Sequence, residues 1–305
     1  MAASLRELRQ RRKSVAATQK ITRAMELIAA SRIIKADRAA RASLPYTSEL
    51  NRAVAAVAYH SDVEHPLTTE VTNPRRAAVV LFTSDRGLAG AYSTNAIKTA
   101  MRLTEKLRGD GIEVVPYVVG NKGISYLSFR NIEMAGQWHG FSDSPQYANA
   151  VEIADVLMEA FLTPVEEGGV DQIYAVYTLM QSMLLQTPRV RRVLPIEVVE
   201  EGSDKDKEIT SEVPLQYEFE PDAETVLDNL LSLYVRNRIW FYLLECAASQ
   251  LASQQRAMKS ATDNAQQLIE RLTREANQAR QAEITQEISE IVGGAGALAD
   301  AATEQ

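Results

Sequence analysis

Apolar and polar positions along the chain follow three different rhythms. Residues 3–59 read as helix: Ala, Arg, Leu and Glu dominate, glycine is absent, and only Pro45 interrupts. A proline inside a helix usually kinks or ends it. From residue 77 the rhythm changes, because Ala77-Ala78-Val79-Val80-Leu81-Phe82 is an unbroken apolar run between polar turn residues, as in a buried strand. A helix follows at 91–108, closed by Gly109 and Gly111. A strand at 113–119, helices at 121–128 and 145–162, and a strand at 172–179 come next. This alternation predicts a parallel α/β sheet in the middle of the chain. Residues 200–212 are charged, contain Gly202 and read as a solvated loop.

The last rhythm is the longest. Residues 222–291 hold neither Pro nor Gly, and at about 1.5 Å per residue such a helix reaches roughly 100 Å. Pro221 and Gly293-Gly294 punctuate its two ends. Apolar positions step by three and four at Ala261, Ala265, Leu268 and Leu272, at Ile284, Ile288 and Ile291, and at Ile21, Met25 and Ile28. That spacing predicts an antiparallel coiled coil of the two chain ends with a thin, alanine-rich seam. An ordinary helical hairpin packed on its own domain is the alternative; a small central domain would not cover so long a helix. The expected division is therefore 1–60 and 216–305 as the two helices of the coil, with 75–215 as a Rossmann-like α/β domain.

Charge separates the two ends of the chain. Residues 1–41 carry a net +8, whereas the whole 305-residue chain is −7, leaving −15 on residues 42–305. A basic arm on an acidic body fits nucleic acid, an anionic membrane or an acidic protein partner. The longest apolar runs are far short of the roughly 20 residues a membrane span needs. Cys246 is the only cysteine, which excludes a disulfide framework or a cysteine-rich zinc site. No phosphate-binding Gly-Lys-Ser/Thr loop, dinucleotide fingerprint, zinc-protease motif or serine elbow occurs. His60, His65 and His139 lack metal spacing and read as solvated or capping residues. The turn from Ser84 to Tyr92 contains Asp85, Arg86, Gly87 and Gly90 after a strand. Its glycines would let backbone amides approach an anion, but a tight structural turn with Asp85 and Arg86 pairing locally is the plainer reading.

Three blocks, in order and spacing, resemble the gamma subunit of F-type ATP synthases. The first begins Lys20-Ile21-Thr22-Arg23-Ala24-Met25-Glu26, and the second is the Ser84-to-Tyr92 turn. The third begins Ala257-Met258-Lys259-Ser260-Ala261-Thr262-Asp263-Asn264 and closes with Arg280-Gln281-Ala282-Glu283-Ile284-Thr285-Gln286-Glu287-Ile288 and Ile291-Val292. The resemblance implies a rotor: an antiparallel coil within a ring of alpha and beta subunits, which hold the nucleotide sites, and a foot on the membrane-embedded c-ring and the epsilon subunit. It implies no catalytic residue, cofactor or metal in this chain, no nucleic acid, and a membrane link only through the c-ring. The implied location is the cytoplasmic face of a bacterial plasma membrane.

By motif position, Lys20, Arg23 and Met25 face an acidic loop of beta, although Met25 fits equally a seam residue. Arg280, Gln281 and Thr285, with Gln254, match a polar group that holds a catch loop of beta; a solvated helix face is the alternative. Ile288, Ile291 and Val292 make an apolar tip for a hydrophobic bearing, and Tyr217, Phe219 and Glu220 lie over the c-ring. Gln254 stands where many members have arginine, and Ala89, Ala276 and Gln278 also depart from common residues. A two-cysteine redox switch is impossible with Cys246 alone. The rival readings are a nucleotide-binding α/β enzyme with a coiled-coil dimerisation device, and a coiled-coil scaffold for nucleic acid. The first lacks a cofactor loop or catalytic cluster, and the second gives no reason for the acidic remainder.

Overall fold

A computed structural model describes residues 4–60, 65–196, 220 and 222–303. The chain runs α1 (Leu5–His60), β1 (Arg76–Phe82), α2 (Tyr92–Gly109), β2 (Glu113–Val119), α3 (Asn121–Phe129) and β3 (Gly136–Trp138). It continues α4 (Tyr147–Leu162), a 3-10 turn (Val165–Glu167), β4 (Gln172–Met180), β5 (Gln186–Leu194) and α5 (Ala223–Thr303). The residues group into two compact units: 1–28 with 257–305, and 29–256. Each long helix contributes to both.

In the larger unit the strands form one sheet in the order β3-β2-β1-β4-β5. β1, β2, β3 and β4 are parallel, but β5 pairs antiparallel with β4 through a short hairpin. The parallel expectation therefore holds for its three strands, β1, β2 and β4, to which β3 adds a fourth, and fails at the edge. β5 leaves no strand signal in the sequence because QTPRVRRVL alternates charge with few apolar positions, as befits a half-exposed edge strand. β3 has only three residues, too short to leave a periodic signal.

β1 lies at the centre because six of its seven residues are buried, and its side chains alternate between two layers. Ala77, Val79 and Leu81 face α2 through Ala96, Ile97, Ala100 and Leu107. Ala78, Val80 and Phe82 face the opposite layer, with Ala150, Ile153, Ala154 and Leu157 of α4 and Leu227, Leu231, Val235 and Ile239 of α5. At about 25 cal/mol per Å² of apolar area, this two-sided burial dominates the unit's stability.

α1 does not break at Pro45. The proline removes one backbone donor, but tertiary contacts hold the helix just past it. Thr47 Oγ1 donates to Ser43 O at 2.9 Å and accepts from the buried Asn237 Nδ2 at 2.9 Å. Beyond the proline, Leu50, Val54 and Val57 are buried. Nor does α5 stop at Gly293-Gly294; it runs to Thr303. Glycine costs about 1 kcal/mol relative to alanine in a helix, and the alanine-rich stretch that follows favours continuation.

Candidate functional site

In the smaller unit the two chain ends pair antiparallel. Leu5 and Leu8 pack with Leu272, Ala276 and Ala279, Gln19 Nε2 donates to Gln266 Oε1 at 2.8 Å, and the hydroxyls of Thr22 and Thr262 lie 2.8 Å apart. As numbers rise in α1 they fall in α5. The expected seam Ile21, Met25 and Ile28 is off by one position, since Ile21 and Ile28 are 60% and 54% exposed whereas Thr22 and Glu26 are 9% and 7%. A polar seam defeats a search for apolar periodicity. It is stable here because its groups have partners: Arg23 Nη1 donates to both Glu26 carboxylate oxygens at 3.0 and 2.9 Å, neutralising a charge that would be costly to bury alone.

These positions settle the surroundings of the first candidate group. Lys20 is exposed, Arg23 is exposed but engaged by Glu26, and Met25 is half-buried beside the seam. Ile21, Ala24 and Ile28 form an exposed apolar stripe on the outer side of α1.

The seam ends near Ala279, where the described part of α1 begins. From 280 to 292 every side chain of α5 is exposed, so Ile284, Ile288 and Ile291 are not seam residues. Arg280 and Gln281 lie open to solvent, and Thr285 Oγ1 donates back to Gln281 O at 2.9 Å, an in-helix bond that leaves its acceptor sites open. Ile288, Ile291 and Val292 are exposed apolar side chains on this stretch, with Ile291 71% exposed.

The larger unit holds a feature that no sequence pattern announced. One side of α5 is fastened to the end of β4 and the β4–β5 hairpin by a row of polar groups. Glu245 Oε2 accepts from Met180 N at 2.9 Å, Cys246 Sγ from Thr178 N at 3.4 Å, and Thr178 O from Ser249 Oγ at 3.0 Å. Gln186 Oε1 accepts from Ser253 Oγ at 3.1 Å and Arg256 Nη2 at 2.9 Å, and Arg256 Nη1 donates to Leu184 O. Burial raises the Glu245 carboxyl above its usual range against the Met180 N–H, with Asp37 nearby acting in the same direction as burial. Burial also pushes the Cys246 thiol up to about 12 despite the Thr178 N–H, so it remains an unreactive thiol at neutral pH. Gln254 is half-buried one residue after Ser253.

The turn after β1 joins three loops. Asp85 Oδ2 accepts from Ser142 N at 2.9 Å, Asp85 Oδ1 from Asn121 N at 3.1 Å, and Asp85 N donates to Ser142 Oγ at 2.8 Å. Burial pushes this carboxyl up, but backbone donors from Ser142, Gly140 and Asn121 outweigh it and hold it below its ordinary value. Asp85 thus sits at the first turn of α3, where an external anion would otherwise bind; Arg86 is exposed and makes no ion pair with it among the described residues. Gly90 adopts φ 57°, while a Cβ on Gly87 would meet only the end of Lys122. A glycine outside this turn is less replaceable: Gly120, between β2 and α3, has φ +99° and a Cβ there would lie 2.3 Å from Thr83 O. Glu220 is exposed, and Tyr217 and Phe219 lie outside the described residues.

Among the described residues no cluster of His, Cys, Asp or Glu has a metal-ligand arrangement, and no helix is long and apolar enough to cross a membrane. The sequence matches the ATP synthase family model over residues 4–298. The ATP synthase gamma chain of Cutibacterium acnes is 55% identical over 315 residues, covering the whole of both chains. That of Nocardioides sp. is 57% identical over 301 residues, covering 99% of this chain and 98% of the relative. Among solved structures, a chain of the Euglena gracilis mitochondrial ATP synthase OSCP/F1/c-ring assembly gives a TM-score of 0.70 at 14% identity, covering 96% of this chain and 94% of that one. One from the Tetrahymena thermophila mitochondrial ATP synthase central stalk/c-ring gives 0.57 at 19%, covering 79% of this chain and 99% of that one. At such identities the structural likeness concerns the fold. The family match and the relatives more than half identical from end to end show that this chain belongs to the ATP synthase gamma chain family.

Proposed function

We propose that the chain is the central-stalk rotor of an F1Fo ATP synthase, carrying force between the c-ring and the alpha and beta subunits, with no catalytic centre of its own. The observation that carries this reading is α5 itself. One unbroken helix is fastened by side-chain hydrogen bonds to the α/β unit and carries a stretch, 280–292, with every side chain exposed. A rotor works only by contacting one conformation of each partner better than another, since equal contact shifts no population. Exposed positions on a stiff element are the ones that can do so.

In this reading residues 1–60 and 216–305 form the shaft and 75–215 the foot, which meets the epsilon subunit and, with Tyr217, Phe219 and Glu220, the c-ring. Lys20, Arg23 and Met25 face an acidic loop of beta, and the +8 arm favours that encounter. Arg280, Gln281, Thr285 and Gln254 hold a catch loop of beta, and Ile288, Ile291 and Val292 turn in an apolar bearing, where non-directional contact suits rotation. Asp85, Arg86, Gly87 and Gly90 serve the foot as a structural turn. The complex lies on the cytoplasmic face of a bacterial plasma membrane, and this chain touches the membrane only through the c-ring.

The test is Arg280→Ala with Gln281→Ala in the reconstituted complex. ATP hydrolysis is expected to slow by about tenfold, the equivalent of roughly 1.4 kcal/mol of lost contact, with the helicity of the isolated chain unchanged. An unaltered rate removes both residues from the contact set.

A further inference from the structure

We propose that the α2–α3 face of the larger unit is a docking surface for an acidic peptide segment of a partner protein. A groove of about 410 Å³ runs between the two helices, lined by Lys98, Met101, Arg102, Glu105, Tyr126 and Arg130. Its apolar lining is Met101 and the Tyr126 ring, and Arg130 stacks on that ring at 4.3 Å from the centroid. Arg102 lies along its own helix, reaching Lys98 O and Thr99 Oγ1 at 3.4 Å each. Among the described residues, Lys98, Arg102 and Arg130 have no carboxylate partner. Phe129, which precedes the lining residue Arg130 in sequence, is 87% exposed.

The charge balance selects the occupant. α2 contributes Lys98, Arg102, Lys106 and Arg108 against Glu105, and α3 with its cap adds Lys122 and Arg130 without an acid. With the cap of α2, Asp110, also counted, six cations stand against two carboxylates, on a chain whose residues 42–305 carry −15 in total. Such local inversion of sign favours an anionic partner over other contacts. Lys98, Arg102 and Lys106 recur every fourth residue along about 12 Å of helix. Spaced carboxylates of a peptide meet that row, whereas a single phosphate reaches one or two of its members. Exposed Phe129, Met101 and Tyr126 supply the apolar and aromatic contacts that anchor peptides. The inference rests on these side chains alone and stands apart from the rotor reading.

Two measurements test it. A fluorescein-labelled synthetic peptide of alternating glutamates and leucines, titrated into the full chain, is expected to bind saturably and to weaken as salt shortens the Debye length from about 14 to 7 Å. Arg102→Glu with Arg130→Glu is expected to weaken it at least about tenfold, with Arg102→Gln and Arg130→Gln intermediate and helicity unchanged in both. Absent binding, binding indifferent to these changes, or displacement of the peptide by micromolar ATP overturns the proposal, the last in favour of a phosphate site. In the purified complex, a photo-crosslinker at Phe129 is expected to capture an acidic segment of another subunit. Capture of lipid alone, or of nothing, overturns it.

Discussion

Asp85 shows how a single side chain substitutes for a ligand. Its carboxylate collects amides from two loops at the ends of neighbouring strands, one of them the first turn of α3. Hydrogen bonds to a charged acceptor contribute about 1.5–3 kcal/mol each, so Asp85→Asn is expected to lower stability by about 1–2 kcal/mol at pH 7. The sign with pH follows from the lowered folded-state value. A depressed carboxyl stabilises above its unfolded pKa and loses that contribution as pH falls through the folded one. The gap between wild type and Asp85→Asn is therefore expected to close below the ordinary carboxylate range. Denaturant titrations at pH 7 and pH 3 check this, and a gap equal at both pH values contradicts it. The same residue scale explains the missed seam: Thr22 and Glu26 are polar in the sequence and buried in the fold because Thr262 and Arg23 meet them.

At the scale of elements, α5 carries two jobs on one helix. Its apolar positions Leu227, Leu231, Val235 and Ile239 pack the sheet, and its polar row Glu245, Ser249, Ser253 and Arg256 holds the β4–β5 hairpin. Ser249→Ala with Ser253→Ala removes two side-chain hydrogen bonds, each contributing about 0.5–1.5 kcal/mol. The expected result is a loss of about 1–3 kcal/mol in unfolding free energy, faster amide exchange at Met180 and along β5, and less efficient ATP-driven proton pumping in the complex. Unchanged exchange on β5 would show that the hairpin is held by its sheet pairing alone. Burial at the sheet was legible in the run of aliphatic residues. The polar row was not, because serines on a helix face look the same whether they meet solvent or a hairpin.

For the whole molecule, the consequence concerns what is spared by truncation. Among residues 284–305 no described side chain is buried, so removing them is expected to leave the chain's melting temperature within about 2 °C of the full length, since surface changes fall within about 0.5 kcal/mol. Coupled ATP synthesis by the complex is expected to fall markedly. A folded truncation that supports full synthesis sinks the bearing role of Ile288, Ile291 and Val292.

The sequence by itself determined the two long helices, the central strands β1, β2 and β4, and the family, because these depend on local periodicity and on near-unbroken motifs. Only the tertiary structure decided that α1 passes through Pro45, that α5 passes through Gly293-Gly294, that β5 closes the sheet antiparallel, and that the seam runs through Thr22 and Glu26. Three of those outcomes turn on a partner distant in sequence, whereas α5 continues past its glycines on the helix propensity of the alanine-rich stretch that follows. A local preference of about 1 kcal/mol is readily outweighed once packing and paired polar groups act on the same residues.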